Sequence, residues 1–566
     1  MVDKLENIRS QFLNYIIEAF SFHLNEPLLF TQLFFWIFLL IVLGGYIFVY
    51  NLQGEKVKWK VLYLLLVSFY FYYKTSGVFI ILLWYVIIAD FFIGKKIYES
   101  QNASTKKWWL TLSIANSLLL LSYFKYSQFF VESFNQLFHT NFQYVNYFSI
   151  FTNACFNTHF DIDKLIFPVG ISFFLFQTMS YIIDIYQRKV EPVNSIIDYG
   201  FFVCFFPHLV AGPIVKAHDF LYQIRMPYQL TILEFKQAWW LIMKGFTKKT
   251  IADYLAIQMI DKIFDNPNYF TSYENFLAII GYSYQVYADF SGYTDMAIGI
   301  ALLFGYRLKK NFNYPYKAQS PSEFWQRWHI SLSSWLKEYL YIPLGGNRGI
   351  TWASYIVLLI ITLFLTLLYG SWWMFVFIVL ILLVLIIWSK YNASVKRAFE
   401  RDVNIMVTML LGGLWHGSSW LFVIWGGLNG LAVVVHKQWE KISPFRNTNS
   451  IIVKLSLMIL TLLFISFTRI FFRSQTLESA NKMIYKLFNG WEWKYIGEIN
   501  WHYKDVLLLL ILMYILHWMP EKWREKVFQK IYLLPIWLLV PITCIIVLLM
   551  YQLMSAESKP FIYFQF

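Results

Sequence analysis

The chain has 566 residues, of which 58% are hydrophobic, 21% aromatic and only 14% charged, and its formal net charge is +14. Soluble domains carry about a quarter charged residues, so this composition excludes a soluble globular protein and indicates a polytopic membrane protein. The excess lysines lie in short loops between apolar runs, as the positive-inside rule predicts, which argues against a nucleic-acid partner. The three cysteines show no metal-ligand spacing, and no metal site is predicted.

Residues 1–32 are predicted to form an external N-terminal segment, amphipathic over 8–22. Basic loops at 51–60 and 94–107 flank a two-span hairpin and are therefore assigned to the cytoplasm, which leaves the N-terminus outside. The first predicted spans are 33–50, 61–73, 77–92 and 108–124.

The segment 125–164 has little charge and is predicted to be an external loop. A span over 167–185 follows. The run 201–215 contains two prolines and a glycine, which predicts a broken, re-entrant element; within it, His208 is interpreted as a structural hydrogen bonder. The stretch 233–262 alternates charged and apolar residues and is predicted to be an amphipathic helix.

The stretch 282–349 places polar groups in an apolar setting. Carboxylates at membrane depth usually face a bundle interior or a watery cavity, so Asp289 and Asp295, together with Ser291, are predicted to line one. The second part is both basic and aromatic and contains His329. It is predicted to form the floor of a polar cavity at the membrane face. Further candidate lining residues in it are Arg327, Trp328 and Asn347.

The segment 407–436 lies between basic loops at 390–401 and 437–446, so it must enter the membrane and return on the same side. Each half is short for a full span, and the turn falls at Trp415-His416-Gly417. This places His416 near the tip of a hairpin inside the membrane. The other predicted spans are 353–369 and 372–387, joined by a turn at 370–371, and then 451–472, 506–519 and 533–551, with the C-terminus outside.

Histidine suits general-base chemistry near neutral pH, so His416 and His329 are the candidate catalytic residues. Taken singly, each has a structural alternative. The chain contains no Gly-x-Ser-x-Gly elbow, no phosphate-binding loop with Lys-Ser/Thr and no His-Glu-x-x-His pair.

Two segments, FWQRWHISLSSWLKEYLYIPLGGNRG and LLGGLWHGSSWLFVIWGGLNG, resemble the signature segments of the membrane-bound O-acyltransferase (MBOAT) family. ADFSGYTDMAIGIALLFGY, FPVGISFFLFQTMSYIIDIY and FFPHLVAGPI are similar to other blocks of that family. The resemblance implies an all-α helical bundle over 33–566, with a core at about 165–437 and re-entrant helices around a central cavity. It places His416 at the signature position and His329 at the second histidine position, with Trp415 beside the first.

The piece YLYIPLGGNRG is similar to the alginate O-acetyltransferase branch. That resemblance implies a multi-pass protein of a bacterial cytoplasmic membrane, with no bound cofactor. It would move an acetyl group from cytoplasmic acetyl-CoA across the bilayer to a cell-envelope polysaccharide through an exported SGNH-type, esterase-like partner. D-alanyl transfer to teichoic acid and protein acylation are alternatives within the family. The non-enzyme alternative is a transporter that carries a polar substrate past Asp289 and Asp295.

Overall fold

The computed structural model describes residues 28, 30–53, 57–156, 158–369, 372–445 and 449–553. Within these ranges the chain is helical and forms no strand, which confirms the predicted all-α class. The predicted amphipathic stretch 8–22 and the turn at 370–371 lie outside the described residues.

The helices group into two compact units. The first unit comprises residues 1–125, 145–242 and 296–308, and the second comprises 126–144, 243–295 and 309–566. The helices 232–255 and 272–303 supply residues to both units. That residues 33–566 form a single membrane domain stays a prediction.

Nine described α-helices lie entirely within the first unit. In order, they are Leu33–Gln53, Val57–Ser76, Ile80–Glu99, Ala103–Leu121, Tyr147–Phe156, Ile171–Tyr186, Ile196–Cys204, Phe206–Leu209 and Ala217–Ile224.

The second unit contains the remaining α-helices. In order, they are Ser127–Phe138, Asp261–Asp265, Pro321–Arg327, Ile330–Leu336, Trp352–Tyr369, Trp372–Tyr391, Ala393–His416, Trp420–Ile442, Ile451–Arg473, Leu477–Phe488, Ile496–His502, Lys504–Trp518, Glu521–Leu533 and Ile536–Leu553. The two helices shared between the units are Ile232–Leu255 and Ser272–Leu303.

Among the described residues, five helical segments are long and apolar enough to cross a membrane. They are Leu33–Leu52, Lys58–Glu99, Trp420–Ile442, Ile451–Arg473 and Ile536–Leu553. Large apolar side chains on these helices point away from the protein: Leu40 is 71% exposed, Ile452 76% and Val540 65%. Aliphatic side chains exposed along whole helices suit a lipid-facing surface.

The two spans predicted on either side of residue 77 correspond to the helices Val57–Ser76 and Ile80–Glu99, which are separated by the short 3₁₀ helix Gly77–Phe79; that they form a hairpin stays a prediction. Gly77 has φ +57°, which a residue without a Cβ adopts readily, and it lies between Val57–Ser76 and Ile80–Glu99.

Two predicted loops are helical in the structure. The helix Ala393–His416 includes most of the basic stretch 390–401, and Trp420–Ile442 runs into 437–446. The prediction of loops there is wrong because charged residues end an apolar run without ending a helix. The side chain of Asn392 starts one such helix by accepting hydrogen bonds from the backbone N–H groups of Ser394 (2.9 Å) and Val395 (3.2 Å).

The predicted break within 201–215 is present between Ile196–Cys204 and Phe206–Leu209. The backbone N–H of Phe206, freed by the break, donates to Ser68 Oγ at 3.1 Å. His208 Nε2 lies 3.1 Å from the carbonyl oxygen of Phe202, so this buried histidine is a hydrogen bonder in the packing of the first unit. A satisfied backbone explains how the chain tolerates the interruption.

Candidate active site

His416 is the last residue of the helix Ala393–His416, and the next helix begins at Trp420. The chain turns at Gly417, whose backbone is extended, and the Ser419 side chain caps the second helix by accepting from Leu421 N at 3.3 Å. The predicted reversal beside His416 is therefore confirmed. The prediction that each half is short for a full span is wrong for the second half, since Trp420–Ile442 has 23 residues and is apolar enough to cross a membrane. The first helix is longer than predicted, with 24 residues, but it is not among the described helices that are apolar enough to do so.

The His416 ring is buried among aromatic side chains and is 3% exposed. Its centroid lies 5.0 Å from Trp415, 5.0 Å from Trp425 and 5.4 Å from Phe472, each with a steep interplanar angle. Edge-to-face contacts on several sides hold the imidazole in one orientation.

Two cavities of the second unit share His416 and Trp425 as lining residues. The larger has a volume of about 340 Å³, within the range typical of ligand pockets. Its described lining includes two lysines, Lys337 and Lys437, and no carboxylate. The complete lining is Ser322, Trp325, Gln326, Leu332, Ser333, Leu336, Lys337, Tyr341, Asn347, Ile405, Thr408, Met409, Gly412, His416, Trp425, Val433 and Lys437.

The smaller cavity has a volume of about 10 Å³, close to the space that one water molecule needs. Its polar lining residues are His416, Asn429 and Arg469. Its apolar and aromatic lining residues are Val286, Phe324, Trp328, Trp425, Ile465 and Phe472. His416 thus lines both a cavity large enough for a ligand and a cavity with room for about one water molecule.

His329 is fully buried and has φ +43°, in the left-handed region, directly before the helix Ile330–Leu336. Its Nδ1 lies 3.2 Å from Asn311 Oδ1, which also accepts from the backbone N–H of Ser331 at 3.1 Å. Because a backbone N–H can only donate, the Asn311 atom at this point is its oxygen. His329 Nδ1 must therefore carry the proton in this hydrogen bond.

Trp415 contacts both predicted catalytic histidines. Its ring centroid lies 6.0 Å from that of His329 and 5.0 Å from that of His416. The fold thus brings the two histidines to one indole ring, although they are 87 positions apart in the chain (416 − 329).

The other predicted lining residues from the 327–347 stretch divide into two groups. Trp328 lines the smaller cavity and Asn347 the larger, where Asn347 Oδ1 accepts from Tyr341 Oη at 2.6 Å. Arg327 lines neither cavity; its guanidinium forms an ion pair with Glu323 at 2.8 Å.

Asp289, Asp295 and Ser291 line neither cavity that contains His416. Asp295 binds Lys244 at 3.0 Å and Lys248 at 2.7 Å, and Lys248 also donates to Ser291 at 3.0 Å. Asp289 binds Lys249 at 2.7 Å. These polar groups take part in lysine pairs, and their part in handling a substrate stays a prediction.

Two residues that sequence reasoning missed belong to this region. Asn404 is fully buried and donates to the carbonyl oxygens of Gly346 (3.0 Å) and Gly349 (2.8 Å), so it ties the loop that bears Asn347 to the helix that bears His416. Arg469 lines the smaller cavity. A charge inside the apolar run 451–472 was the available signal for Arg469, whereas nothing in the sequence singled out Asn404.

This arrangement suits proton transfer next to a bound ligand. An imidazole held by aromatic rings can accept a proton from a hydroxyl and return it to a leaving group. A cavity with two lysines and no described carboxylate favours an anionic ligand.

Comparison with known proteins places these residues in context. Residues 29–401 match the model of the membrane-bound O-acyltransferase family. The chain is 33% identical to the probable alginate O-acetylase AlgI of Pseudomonas aeruginosa over 474 residues, which are 83% of this chain and 76% of that protein.

Two further relatives have names that describe other acceptors. The peptidoglycan O-acetyltransferase of Helicobacter pylori is 30% identical over 480 residues, covering 80% of this chain and 78% of that protein. The teichoic acid D-alanyltransferase of Bacillus subtilis is 23% identical over 291 residues, covering 50% and 62%. The similarity is thus more extensive to these O-acetylating proteins than to the D-alanylating one.

Proposed function

Because the chain belongs to the membrane-bound O-acyltransferase family, we propose that this multi-pass membrane acyltransferase transfers acetyl groups for the O-acetylation of a cell-envelope polysaccharide. The relatives named for alginate and peptidoglycan O-acetylation support this choice of acyl group and acceptor class.

The observation that carries the mechanism is the place of His416 at the end of a helix, in the wall of the 340 Å³ cavity. In the proposed reaction, acetyl-CoA is the donor and its thioester enters this cavity. Lys337 and Lys437 favour the anionic donor, since ammonium groups attract phosphates. His416 takes the proton of an acceptor hydroxyl as that oxygen attacks the thioester carbonyl.

His329 is proposed to support this step from the opposite side of the Trp415 contact. Asn311 holds its proton on Nδ1 and fixes the ring. A fixed imidazole in contact with the same indole as His416 can help to set the orientation of the reacting histidine.

The donor is proposed to arrive from the cytoplasm, with both termini outside the cytoplasmic membrane of a bacterium. The basic charge of the stretches 94–107, 390–401 and 437–446 supports this orientation. On this orientation the acetyl group leaves on the outer face, where an exported SGNH-type, esterase-like partner would pass it to the polysaccharide.

Two other functions are separable by experiment. The D-alanyltransferase relative motivates a test with a D-alanyl carrier protein as donor. A transporter would show altered uptake of a polar solute and no acyl product.

The test combines purified protein with cells. Protein in lipid nanodiscs is given acetyl-CoA or a D-alanyl carrier protein with water as the acyl acceptor, and the thiol released by hydrolysis is measured; the envelope glycans of cells with and without the protein are compared by mass. We expect thiol release from acetyl-CoA and acetyl groups on the glycans that disappear with the protein. Turnover of the D-alanyl carrier alone, or unchanged glycan masses, would contradict the proposal.

A further inference from the structure

The buried cation Arg469 lies beside the proposed reaction centre. It projects from the helix Ile451–Arg473, is 4% exposed and lines the 10 Å³ cavity together with His416. Nothing in the proposed mechanism yet uses its charge.

The neighbours of this guanidinium are neutral. Its Nη1 donates to the backbone oxygen of Ser283 at 2.7 Å and to Tyr316 Oη at 2.5 Å. Its central carbon lies 4.4 Å from the Trp328 ring centroid, in a cation–π contact. Among the residues that the structure describes, no carboxylate oxygen lies within 4.0 Å of it.

Two other cations of the same unit, Arg473 and Lys249, have acidic partners. Arg473, one turn later on the same helix, binds Asp261 at 2.9 Å and Asp265 at 3.7 Å. The buried Lys249 binds Asp253 at 2.6 Å and Asp289 at 2.7 Å. Unlike these two cations, Arg469 is buried without a carboxylate partner among the described residues.

The fold does not depend on Arg469 for the hydrogen bonds of its neighbours. The Tyr316 hydroxyl itself donates to the Ser283 carbonyl oxygen, so removal of the guanidinium leaves these two groups bonded to each other. A buried, unbalanced charge disfavours folding, and replacement by an apolar side chain of similar volume is often neutral or stabilising. The position of Arg469 is therefore explained better by an anion that forms in the cavity than by stability.

We propose that Arg469 is a catalytic residue that stabilises the oxyanion of the acyl-transfer intermediate, an inference that rests on the function proposed above. The acceptor O–H gives its proton to His416, its oxygen bonds to the thioester carbon, and the carbonyl π electrons move onto the carbonyl oxygen. That negative oxygen lies against the guanidinium. When the carbonyl re-forms, the C–S bond breaks and the thiolate takes the proton from His416. A positioned charge of this kind acts where negative charge develops in the transition state.

The experiment compares Arg469→Met and Arg469→Lys with His416→Gln and with the matched control Arg473→Met. Each full-length protein is reconstituted in nanodiscs, and kcat and KM for thiol release from acetyl-CoA are measured beside the thermal midpoint. We expect Arg469→Met to lower kcat by about 10²–10³-fold, the effect typical of losing one oxyanion donor, with KM unchanged. Arg469→Lys keeps the charge and should recover part of kcat.

The thermal midpoints give a second, independent readout. Arg469→Met should leave the midpoint unchanged or raise it, whereas Arg473→Met should lower it because Asp261 loses its partner. If Arg469→Met turns over acetyl-CoA like wild type while His416→Gln is inactive, the oxyanion assignment is overturned and the proposed function stands. A fall in midpoint as large as that of Arg473→Met would also overturn it, in favour of a structural role. If wild type and His416→Gln are equally inactive, the proposed donor fails and the oxyanion assignment fails with it.

Discussion

The imidazole of His416 combines a fixed orientation with access to two cavities, and the two properties have different causes. Three aromatic rings hold it, and its position at the end of a helix places it in the lining of both cavities. A histidine placed only for packing would need the rings but would gain nothing from lining a ligand-sized cavity.

We therefore expect His416→Gln to lower thiol release from acetyl-CoA by about 10²–10⁴-fold, because a positioned general base is lost. The thermal midpoint should stay near that of wild type, since Gln is polar and of similar size. The control is His502→Gln, at an exposed histidine of the helix Ile496–His502, which should keep full activity. Near-wild-type turnover by His416→Gln would contradict the catalytic assignment and leave His416 with a structural role. A loss of activity that is explained by unfolding of the variant would do the same.

The sequence indicated the candidate site residues better than it indicated the residues with which they interact. It singled out both histidines, which the fold brings to Trp415. It also predicted that Asp289 and Asp295 line a cavity, and the structure pairs them with lysines 40 and 47 positions earlier in the chain (289 − 249 and 295 − 248). Such pairing depends on the register between two long helices, and hydropathy patterns do not contain that register.

The helices Ala393–His416 and Trp420–Ile442 approach each other closely at two glycines. A Cβ at Gly413 would lie 3.0 Å from the Cα of Gly426, and a Cβ at Gly426 would overlap the carbonyl oxygen of Met409. The lack of side chains at these two glycines therefore allows the two helices to pack closely.

We expect Gly426→Ala to force the two helices apart, to lower the free energy of unfolding by about 1–3 kcal/mol and to reduce acyl transfer, since overpacking displaces backbone. The neighbouring Gly427→Ala is the matched control, because its Cβ would meet only the flexible end of Leu410 at 3.3 Å. Thermal midpoint and thiol release are measured for both. Equal midpoints for the two variants would show that the close approach is not required.

Most of the long apolar helices were predictable along this chain, whereas helix ends were predicted well at some positions and poorly at others. The spans ending near 472 and 519 were placed within a residue of Arg473 and Trp518. The predicted segment began 14 residues after the start of Ala393–His416 (407 − 393). The first turns of this helix carry charged side chains, which are compatible with a loop in water as well as with a helix. Apolar runs in a sequence indicate where a lipid-facing or buried segment begins, whereas capping residues such as Asn392 indicate where the helix itself begins.

Membrane orientation is a property of the whole chain, and charge bias predicts it. We expect cysteines introduced at Asn141 and Gln475, both exposed, to react with an impermeant thiol reagent in intact spheroplasts. A cysteine in the 94–107 loop should react only after permeabilisation. The exposed natural residues Cys155 and Cys544 are first replaced by serine so that they do not contribute. Labelling of the 94–107 loop in intact cells would invert the orientation and move the donor side to the outer face.

The larger cavity takes its described walls from one continuous stretch of chain, from Ser322 to Lys437, whereas the smaller cavity adds Val286, Ile465, Arg469 and Phe472 from outside it. A cavity encoded in one stretch can be inherited as a block by recombination between related genes. Within this family, chimaeras that exchange this block should therefore exchange donor preference, while the residues from 465 to 472 keep the chemistry at His416 unchanged.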